Sequence, residues 1–304
     1  MLKSIALTLL IVLCQAGVRC VLLARTTLNA QSLESKQAPL DLGKGQRLEP
    51  GIMFYEVKLP KKGATNKLWV YLPEKQTQPK IPCVLIAPAG TRLYHGIGLA
   101  EGDRPEHLPY VRAGFAVVAY EVDGPLADNP SGKARFKAIL EFKNAEAGLN
   151  NARAALDYAL ANIPQIDPSR IYTAGHSSAG TISLLVAERE PRVRAAVAYA
   201  PASDVEKFLG ETKVGAIASV IPDYREFLKR TSPYAGAKDL KCPLFLFHAE
   251  DDKVVAIAYS EDFVKEVSKH NPSVTFVRVA TGGHFSAMPD EGIPKAIEWL
   301  KALK

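Results

Sequence analysis

A serine between small residues lies where an apolar stretch ends and a helix-like stretch begins, in the segment Ile171–Gly180. A sharp strand-to-helix turn of this kind exposes a serine hydroxyl, and small residues two positions before and after it let strand and helix approach. Gly175 and Ala179 hold those positions around Ser177, although glycine is the usual second residue. Ser178 is a rival, but the corresponding position before it is His176. The pattern favours Ser177 as a nucleophile.

A nucleophilic serine needs a base and a carboxylate that orients the base. In hydrolytic sites built on such a turn, they follow in the order serine, acid, histidine, at the ends of later strands. One later apolar run leads into three successive acids, Glu250, Asp251 and Asp252, and the next ends at His284. We predict that His284 is the base of Ser177. One of the three acids orients it, and the other two are free to remain in water.

An oxyanion hole requires backbone N–H groups aimed at the reacting carbonyl oxygen. Ser178, directly after the nucleophile, supplies one, and the loop after the apolar run Val84–Ile86 supplies the other. Pro88 has no N–H, so the second donor is Ala89 or Gly90.

Two side chains of the same loop are candidates for the substrate pocket. Tyr94 offers a phenolic donor, and Arg92 offers a cation for a substrate carboxylate. The competing interpretations are a packed aromatic ring for Tyr94 and a surface salt bridge for Arg92.

Continuous apolar runs, typical of strands buried on both faces, alternate with helical periodicity along most of the chain. The sequence therefore predicts an α/β fold with a mostly parallel sheet of about eight strands and helices on both faces. A hairpin precedes this part, formed by Ile52–Leu59 and Leu68–Leu72. The clearest helix is predicted over Glu141–Asn162. The other predicted strands are Cys83–Ala87, Phe115–Tyr120, Ile171–Ala174, Val193–Tyr199, Leu244–Phe247 and Val274–Val279.

Several stretches resemble the α/β-hydrolase fold and, more narrowly, the catalytic domain of the prolyl oligopeptidase family. They are the segments Gly114–Val118, Ile166–Ile171, Ser232–Tyr234 and Cys242–Val255. In the last of these, His248 to Val255 is similar to the family's H-G-x-x-D-x-x-V, which places the acid at Asp252. The first glycine of the family's oxyanion loop and the second glycine of its serine turn are not matched.

The resemblance implies a serine hydrolase with a Ser177–Asp252–His284 triad that needs neither a metal nor an organic cofactor. Its substrate would be a small-molecule ester or a short peptide. Ester hydrolysis is favoured, because the family's peptidases carry a propeller domain for which this chain has no room, whereas dienelactone-hydrolase-like relatives act on small esters. An exopeptidase of aminoacyl or dipeptidyl type is the alternative. A non-catalytic hydrolase-fold binding protein is the alternative of another class.

The amino-terminal residues differ from the rest of the chain. Lys3 precedes a short apolar run, which predicts a signal peptide or an N-terminal anchor over residues 1–30, and residues 31–50 read as a linker. The catalytic domain then spans residues 51–304, with a cap insertion at about 204–230. We therefore expect an exported protein, secreted or periplasmic, in which only a retained leader would contact a membrane.

Charge and cysteine usage limit the remaining function classes. The formal charge of +6 falls to +3 without Lys3, Arg19 and Arg25, and the basic residues form no aromatic-interleaved stripe, so a nucleic-acid partner is not expected. Cys83 and Cys242 each lie beside a proline at an apolar run and are interpreted as buried thiols rather than metal ligands, with a disulfide between them as the less favoured alternative. The sequence does not determine the oligomeric state.

Overall fold

The computed structural model describes residues 42–59, 67–76 and 78–303, and a nine-stranded sheet organises them. The strands are ordered β1-β2-β3-β5-β4-β6-β7-β8-β9 across the sheet. Strands β1, β2 and β3 pair antiparallel, and β3 also pairs antiparallel with β5. All other pairs are parallel. The bounds are β1 Gln46–Glu49, β2 Ile52–Lys58, β3 Lys67–Pro73, β4 Ile81–Ile86, β5 Ala116–Tyr120, β6 Ile166–His176, β7 Val193–Tyr199, β8 Leu244–Ala249 and β9 Val274–Val279.

The mostly parallel α/β-hydrolase sheet is confirmed, and it has one strand more than predicted. Strand β1 lies within the segment interpreted as a linker, and it pairs along the outer edge of β2. Three of its four residues are polar, and none of the four is fully buried. An edge strand of this kind carries little apolar pattern, which explains why the sequence did not reveal it.

Ten helices cover the sheet in the described residues. They are α1 Arg104–Arg112, α2 Gly132–Asn144, α3 Leu149–Asn162, α4 Ser178–Arg189, α5 Val205–Leu209, α6 Glu211–Ala218, α7 Tyr224–Thr231, α8 Pro233–Gly236, α9 Ala258–Val267 and α10 Ile293–Ala302. Successive residues of a strand point to opposite faces, so Leu85 of β4 joins one core and Val84 joins the other. Helices α3 and α4 pack on the first face, and α1 and α10 pack on the second.

The single helix predicted over Glu141–Asn162 is wrong, because α2 ends at Asn144 and α3 begins at Leu149. Between them Glu146, Ala147 and Gly148 all have positive φ angles. Gly148 has a φ of 90°, and a Cβ atom there would lie 3.2 Å from the Val122 side chain. Close packing against β5 and its exit therefore interrupts a helical pattern that continues in the sequence.

Strand β9 also differs from its prediction. Its residues are mostly half-buried, whereas β4, β5, β7 and β8 are almost wholly buried. The strand forms the edge of the sheet and has a neighbour on one side only. An apolar run alone does not distinguish these two positions.

Helices α5, α6 and α7 lie in the segment predicted as a cap insertion, after the carboxyl end of β7, and we call them the cap helices. These helices bury Ile217, Ile221, Tyr224 and Phe227, whereas Val220 is 58% exposed. No helix among the described residues is long and apolar enough to cross a membrane. The predicted leader, residues 1–30, lies outside these residues.

Cys83 and Cys242 are both free thiols. Burial raises the pKa of Cys83 to about 12 and that of Cys242 to about 11. The disulfide considered from the sequence is therefore not formed, and neither thiol is activated as a nucleophile.

Candidate active site

Ser177 lies at the turn between β6 and α4 with a φ of 55° and a ψ of −121°. A non-glycine residue in this region is strained and persists only where its surroundings fix it. The Ser177 N–H donates to the carbonyl of Tyr199 at 2.8 Å, which fixes the turn to β7. A Cβ atom at Gly175 would lie 2.4 Å from the backbone of Ala179, so position 175 requires glycine. The predicted strand-to-helix turn is thus formed around Ser177, and Ala179 fits as the second small residue.

His284 and Asp252 meet at the carboxyl edge of the sheet. The Nδ1 atom of His284 lies 2.7 Å from Oδ2 of Asp252. Because a carboxylate accepts, Nδ1 carries the proton, and the lone pair of the ring is on Nε2. Asp252 follows β8 and His284 follows β9, so the parallel strands bring together residues 32 positions apart. Of the three acids, Asp252 is the one that holds this ring.

Four donors converge on the buried carboxylate of Asp252. Burial opposes its ionisation, but hydrogen bonds from His248 and His284, together with the N–H groups of Val255 and Val254, hold its pKa well below the ordinary value. His248 Nε2 lies 3.1 Å from Oδ2, and the Val254 and Val255 N–H groups donate to Oδ1 at 2.8 and 3.0 Å. The group is therefore an anion at neutral pH, as the orientation of an imidazolium requires.

The backbone of the His284 loop is anchored by two further side chains. Asp251 accepts the N–H of Gly283 at 2.7 Å, so this half-buried acid supports the loop, whereas Glu250 is exposed. His176 lies 2.6 Å from the carbonyl of His284 through Nε2 and 3.5 Å from Oε1 of Glu106 through Nδ1. Sequence reasoning missed both roles. The only available signal was their position, each directly beside a predicted triad member.

The rings of His176 and His284 lie 4.7 Å apart between centroids. Since His176 directly precedes Ser177, this contact brings the imidazole of His284 to the serine turn. No hydrogen bond joins the Ser177 hydroxyl to His284 in the segments that the structure describes. Such bonds are often long without substrate and shorten when it binds.

The oxyanion loop is held by the side chain of Ser178. Its Oγ accepts the N–H of Gly90 at 3.1 Å and that of Thr91 at 3.2 Å. The Gly90 N–H is therefore engaged, whereas the N–H of Ala89 has no partner within the described segments. The N–H of Ser178, in the first turn of α4, is likewise free of backbone partners. Of the two predicted alternatives, this arrangement favours Ala89 as the second donor.

We expect the substitution Ser178→Ala to lower kcat about tenfold while Ser177 stays reactive. The alanine keeps the backbone N–H of position 178 but releases two loop N–H groups, each of which contributes about 1 kcal/mol or more. Ser183→Ala is the matched control, because Ser183 is a buried serine of the same helix that donates to the Val197 carbonyl. Equal kcat losses in the two variants, measured with 4-nitrophenyl butyrate, would contradict the role of Ser178.

The two predicted pocket residues take different positions. Tyr94 is half-buried beneath the cap, with its ring centroid 4.9 Å from that of His95. Arg92 is exposed and forms no salt bridge within the described segments. It also does not line the cavity that Tyr94 shares with α2, α5 and α6. No group of three or more potential metal ligands is assembled among these residues.

Comparison with known proteins agrees with this geometry. Residues 106–302 match the prolyl oligopeptidase family. The chain belongs to this family. The matched segment begins in α1 and ends in α10, and thus contains all three residues of the predicted triad.

The curated relative described here has a low sequence identity to this chain. The chain is 25% identical over 183 residues to the uncharacterized peptidase YuxL of Bacillus subtilis (strain 168). The aligned stretch covers 56% of this chain and 27% of that protein. The chain therefore spans about a quarter of the length of this curated relative.

Among solved structures, an acylaminoacyl peptidase in complex with Z-Gly-Gly-Phe-chloromethyl ketone is similar with a TM-score of 0.62 and 17% identity, covering 82% of this chain and 41% of that one. A cold-adapted esterase from an Arctic intertidal metagenomic library has a TM-score of 0.61 and 18% identity, covering 86% and 98%. The acetyl xylan esterase from Paenibacillus sp. R4 has a TM-score of 0.60 and 20% identity, covering 84% and 87%. At these identities the likeness shows the fold, which peptidases and esterases share.

Proposed function

We propose that this protein is a serine hydrolase that cleaves a carboxylic ester or a small amide through an acyl-enzyme. The hydrogen bond between His284 and Asp252, beside the strained turn of Ser177, is the observation that carries the proposal. A buried carboxylate, an oriented imidazole and a partly exposed serine are the three parts that nucleophilic acyl transfer needs. Membership of the prolyl oligopeptidase family supports the same reaction class.

In the proposed mechanism, Nε2 of His284 takes the hydroxyl proton as Oγ of Ser177 bonds to the substrate carbonyl carbon. The carbonyl oxygen becomes an oxyanion, which the N–H groups of Ser178 and Ala89 stabilise. His284 then gives its proton to the leaving alcohol or amine, and the acyl group stays on Ser177. A water molecule, deprotonated by His284, attacks the acyl-enzyme; the bond to Oγ of Ser177 then breaks, His284 returns its proton to Oγ, and the acid is released.

The choice between ester and peptide substrates stays open. The structural relatives include both classes, so the sequence-based preference for esters gains no support from them. Turnover of 4-nitrophenyl acetate and butyrate, compared with that of aminoacyl and dipeptidyl 4-nitroanilides, separates the two. An excess of kcat/KM for one set identifies the class.

A fluorophosphonate probe tests whether the site is catalytic at all. We expect one equivalent of probe to bind, and peptide mapping to place it on residue 177, because only an activated serine displaces fluoride at a useful rate. The non-catalytic binding protein is the competing interpretation. It predicts a folded protein that takes up no probe.

We also infer that the protein is exported by its predicted signal peptide. The support is the charge and apolar pattern of residues 1–30 alone. Mass spectrometry of the protein recovered from its native host tests the inference. A mature N-terminus beyond the apolar run supports it, and an intact cytoplasmic N-terminus contradicts it.

A further inference from the structure

A cavity of about 490 Å³ lies beneath the cap, and we call it the cap pocket. Its polar lining is Tyr94, Arg135, Thr212 and Lys213, and the rest is aliphatic, including Ile139 and Ile217. The walls therefore come from the oxyanion loop, from α2 and from the cap helices α5 and α6. None of the lining residues is acidic.

The two cations of the cap pocket are uncompensated. Neither Arg135 nor Lys213 forms an ion pair in the segments that the structure describes. The acids around them are engaged elsewhere, since Arg225 binds both Glu206 and Glu211. The Lys213 ammonium lies 4.7 Å from the centroid of the Tyr94 ring, which holds it over the pocket by a cation–π contact. A cavity with two unpaired cations and an aliphatic wall presents positive potential beside an apolar surface.

The cap pocket is linked to the serine turn through one short loop. Tyr94 follows Thr91 by three residues, and the N–H of Thr91 is bound by Ser178. Between them Leu93 packs near Thr181 and Ile182 of α4, the helix that begins at Ser178. The pocket is thus lined by the loop after β4 and by helices after β7, and the serine turn ends β6, the strand between these two.

We propose that the cap pocket binds a carboxylate carried by the substrate, so that the preferred substrates are anionic esters or amides with an apolar spacer. This inference rests on the proposed serine hydrolase activity and specifies its substrate class. Arg135 and Lys213 bind the carboxylate, and the Tyr94 and Thr212 hydroxyls donate to its oxygens. The spacer packs on Ile139 and Ile217. Since both cations are open to solvent, each is expected to contribute modestly, and specificity comes from the pair.

Two matched substrate pairs test the proposal on either side of the scissile bond. Mono-4-nitrophenyl adipate and 4-nitrophenyl hexanoate differ in a carboxylate on the acyl group, and 4-carboxyphenyl acetate and 4-carbamoylphenyl acetate differ in one on the leaving group. The readout is the ratio of kcat/KM for the anionic to the neutral member. Comparing this ratio between variants cancels the intrinsic reactivity of each ester.

We expect Arg135→Gln and Lys213→Gln each to lower this ratio about threefold to tenfold in at least one pair, and the double variant to lower it further. Raising the salt concentration should lower the wild-type ratio in the same direction. Lys133→Gln on α2 and Lys229→Gln on α7 are the matched controls. They remove the same charge from exposed positions outside the pocket and should leave the ratio unchanged.

Binding to the Ser177→Ala variant separates this inference from the catalytic proposal. Calorimetric titration with the members of both pairs measures affinity without turnover, and the anionic member of at least one pair should bind about tenfold more tightly until Lys213 or Arg135 is replaced. If the variant binds the anion selectively but the wild type hydrolyses none of the esters, the proposed activity is dismissed and the pocket assignment stands. Equal affinities within both pairs, or equal losses in the Lys133 and Lys229 variants, would overturn the pocket assignment whatever the activity.

Discussion

Replacement of Ser177 by alanine is expected to lower kcat for ester hydrolysis by about 10⁶-fold and to abolish labelling by a fluorophosphonate. The reason is chemical rather than structural. The side chain of Ser177 forms no hydrogen bond within the described residues, whereas its backbone N–H keeps the 2.8 Å contact with Tyr199 in either variant. The melting temperature should therefore remain within a few degrees of the wild type while the covalent step disappears.

Ser178→Ala provides the comparison that identifies the nucleophile. It removes the adjacent hydroxyl, which was the rival candidate, and it should still take up the probe. A Ser177→Ala protein that is labelled as efficiently as the wild type would dismiss the assignment. Labelling lost only in Ser178→Ala would transfer the role to that residue.

Asp252→Asn is expected to lower kcat by about 10⁴-fold, the size of effect seen when the carboxylate of such a triad becomes an amide. The asparagine keeps the volume of the side chain but offers one acceptor oxygen where four donors converge. The NH₂ group of the asparagine would face N–H donors. The imidazole of His284 would lose the anion that holds its Nδ1–H in place.

Asp251→Asn is the matched control, because it keeps an acceptor for the Gly283 N–H and changes the same charge one residue away. We expect it to cost about tenfold in kcat or less. Equal losses in the two variants, measured with one ester at pH 8, would show that the loop needs negative charge in general and not the orientation of one ring.

The same carboxylate should make stability depend on acid. The folded-state pKa of Asp252 is lowered by its donors, so its ionised form stabilises the fold above the unfolded pKa of about 3.9. That contribution is lost as the pH falls from about 4 toward the lower folded pKa. Urea unfolding of the wild type and Asp252→Asn should therefore differ most near pH 7, and the difference should shrink as the pH falls below 4. A constant difference across this range contradicts the assignment.

The chemistry of the site was more predictable than its supports. Ser177, Asp252 and His284 each follow an apolar run, and parallel strands necessarily bring their carboxyl ends to one edge. The sequence thus located Asp252 and His284, which meet only in the fold, and the serine turn whose His176 contacts the ring of His284. Asp252 was separated from its two neighbours by resemblance to the family, since three acids in a turn look equivalent without a partner.

The contacts that hold these residues in place join segments far apart in the sequence, so no local sequence pattern predicts them. The contact between His176 and the carbonyl of His284 joins residues 108 positions apart. The hydroxyl of Ser178 holds a loop 88 residues earlier in the chain. At the break between α2 and α3, a side chain on Gly148 would lie 3.2 Å from Val122, which is outside either helix. In each case a tertiary contact decides a detail to which local propensity is indifferent.

The positive φ of Ser177 means that the residue best suited to stability and the residue required for turnover differ at this position. A glycine would adopt this backbone without steric cost and would relieve strain of about 1 to 3 kcal/mol, offset in part by its greater freedom in the unfolded chain. It would also remove the hydroxyl. Selection for thermal resistance alone would therefore favour glycine at position 177, whereas the proposed hydrolysis requires the serine hydroxyl.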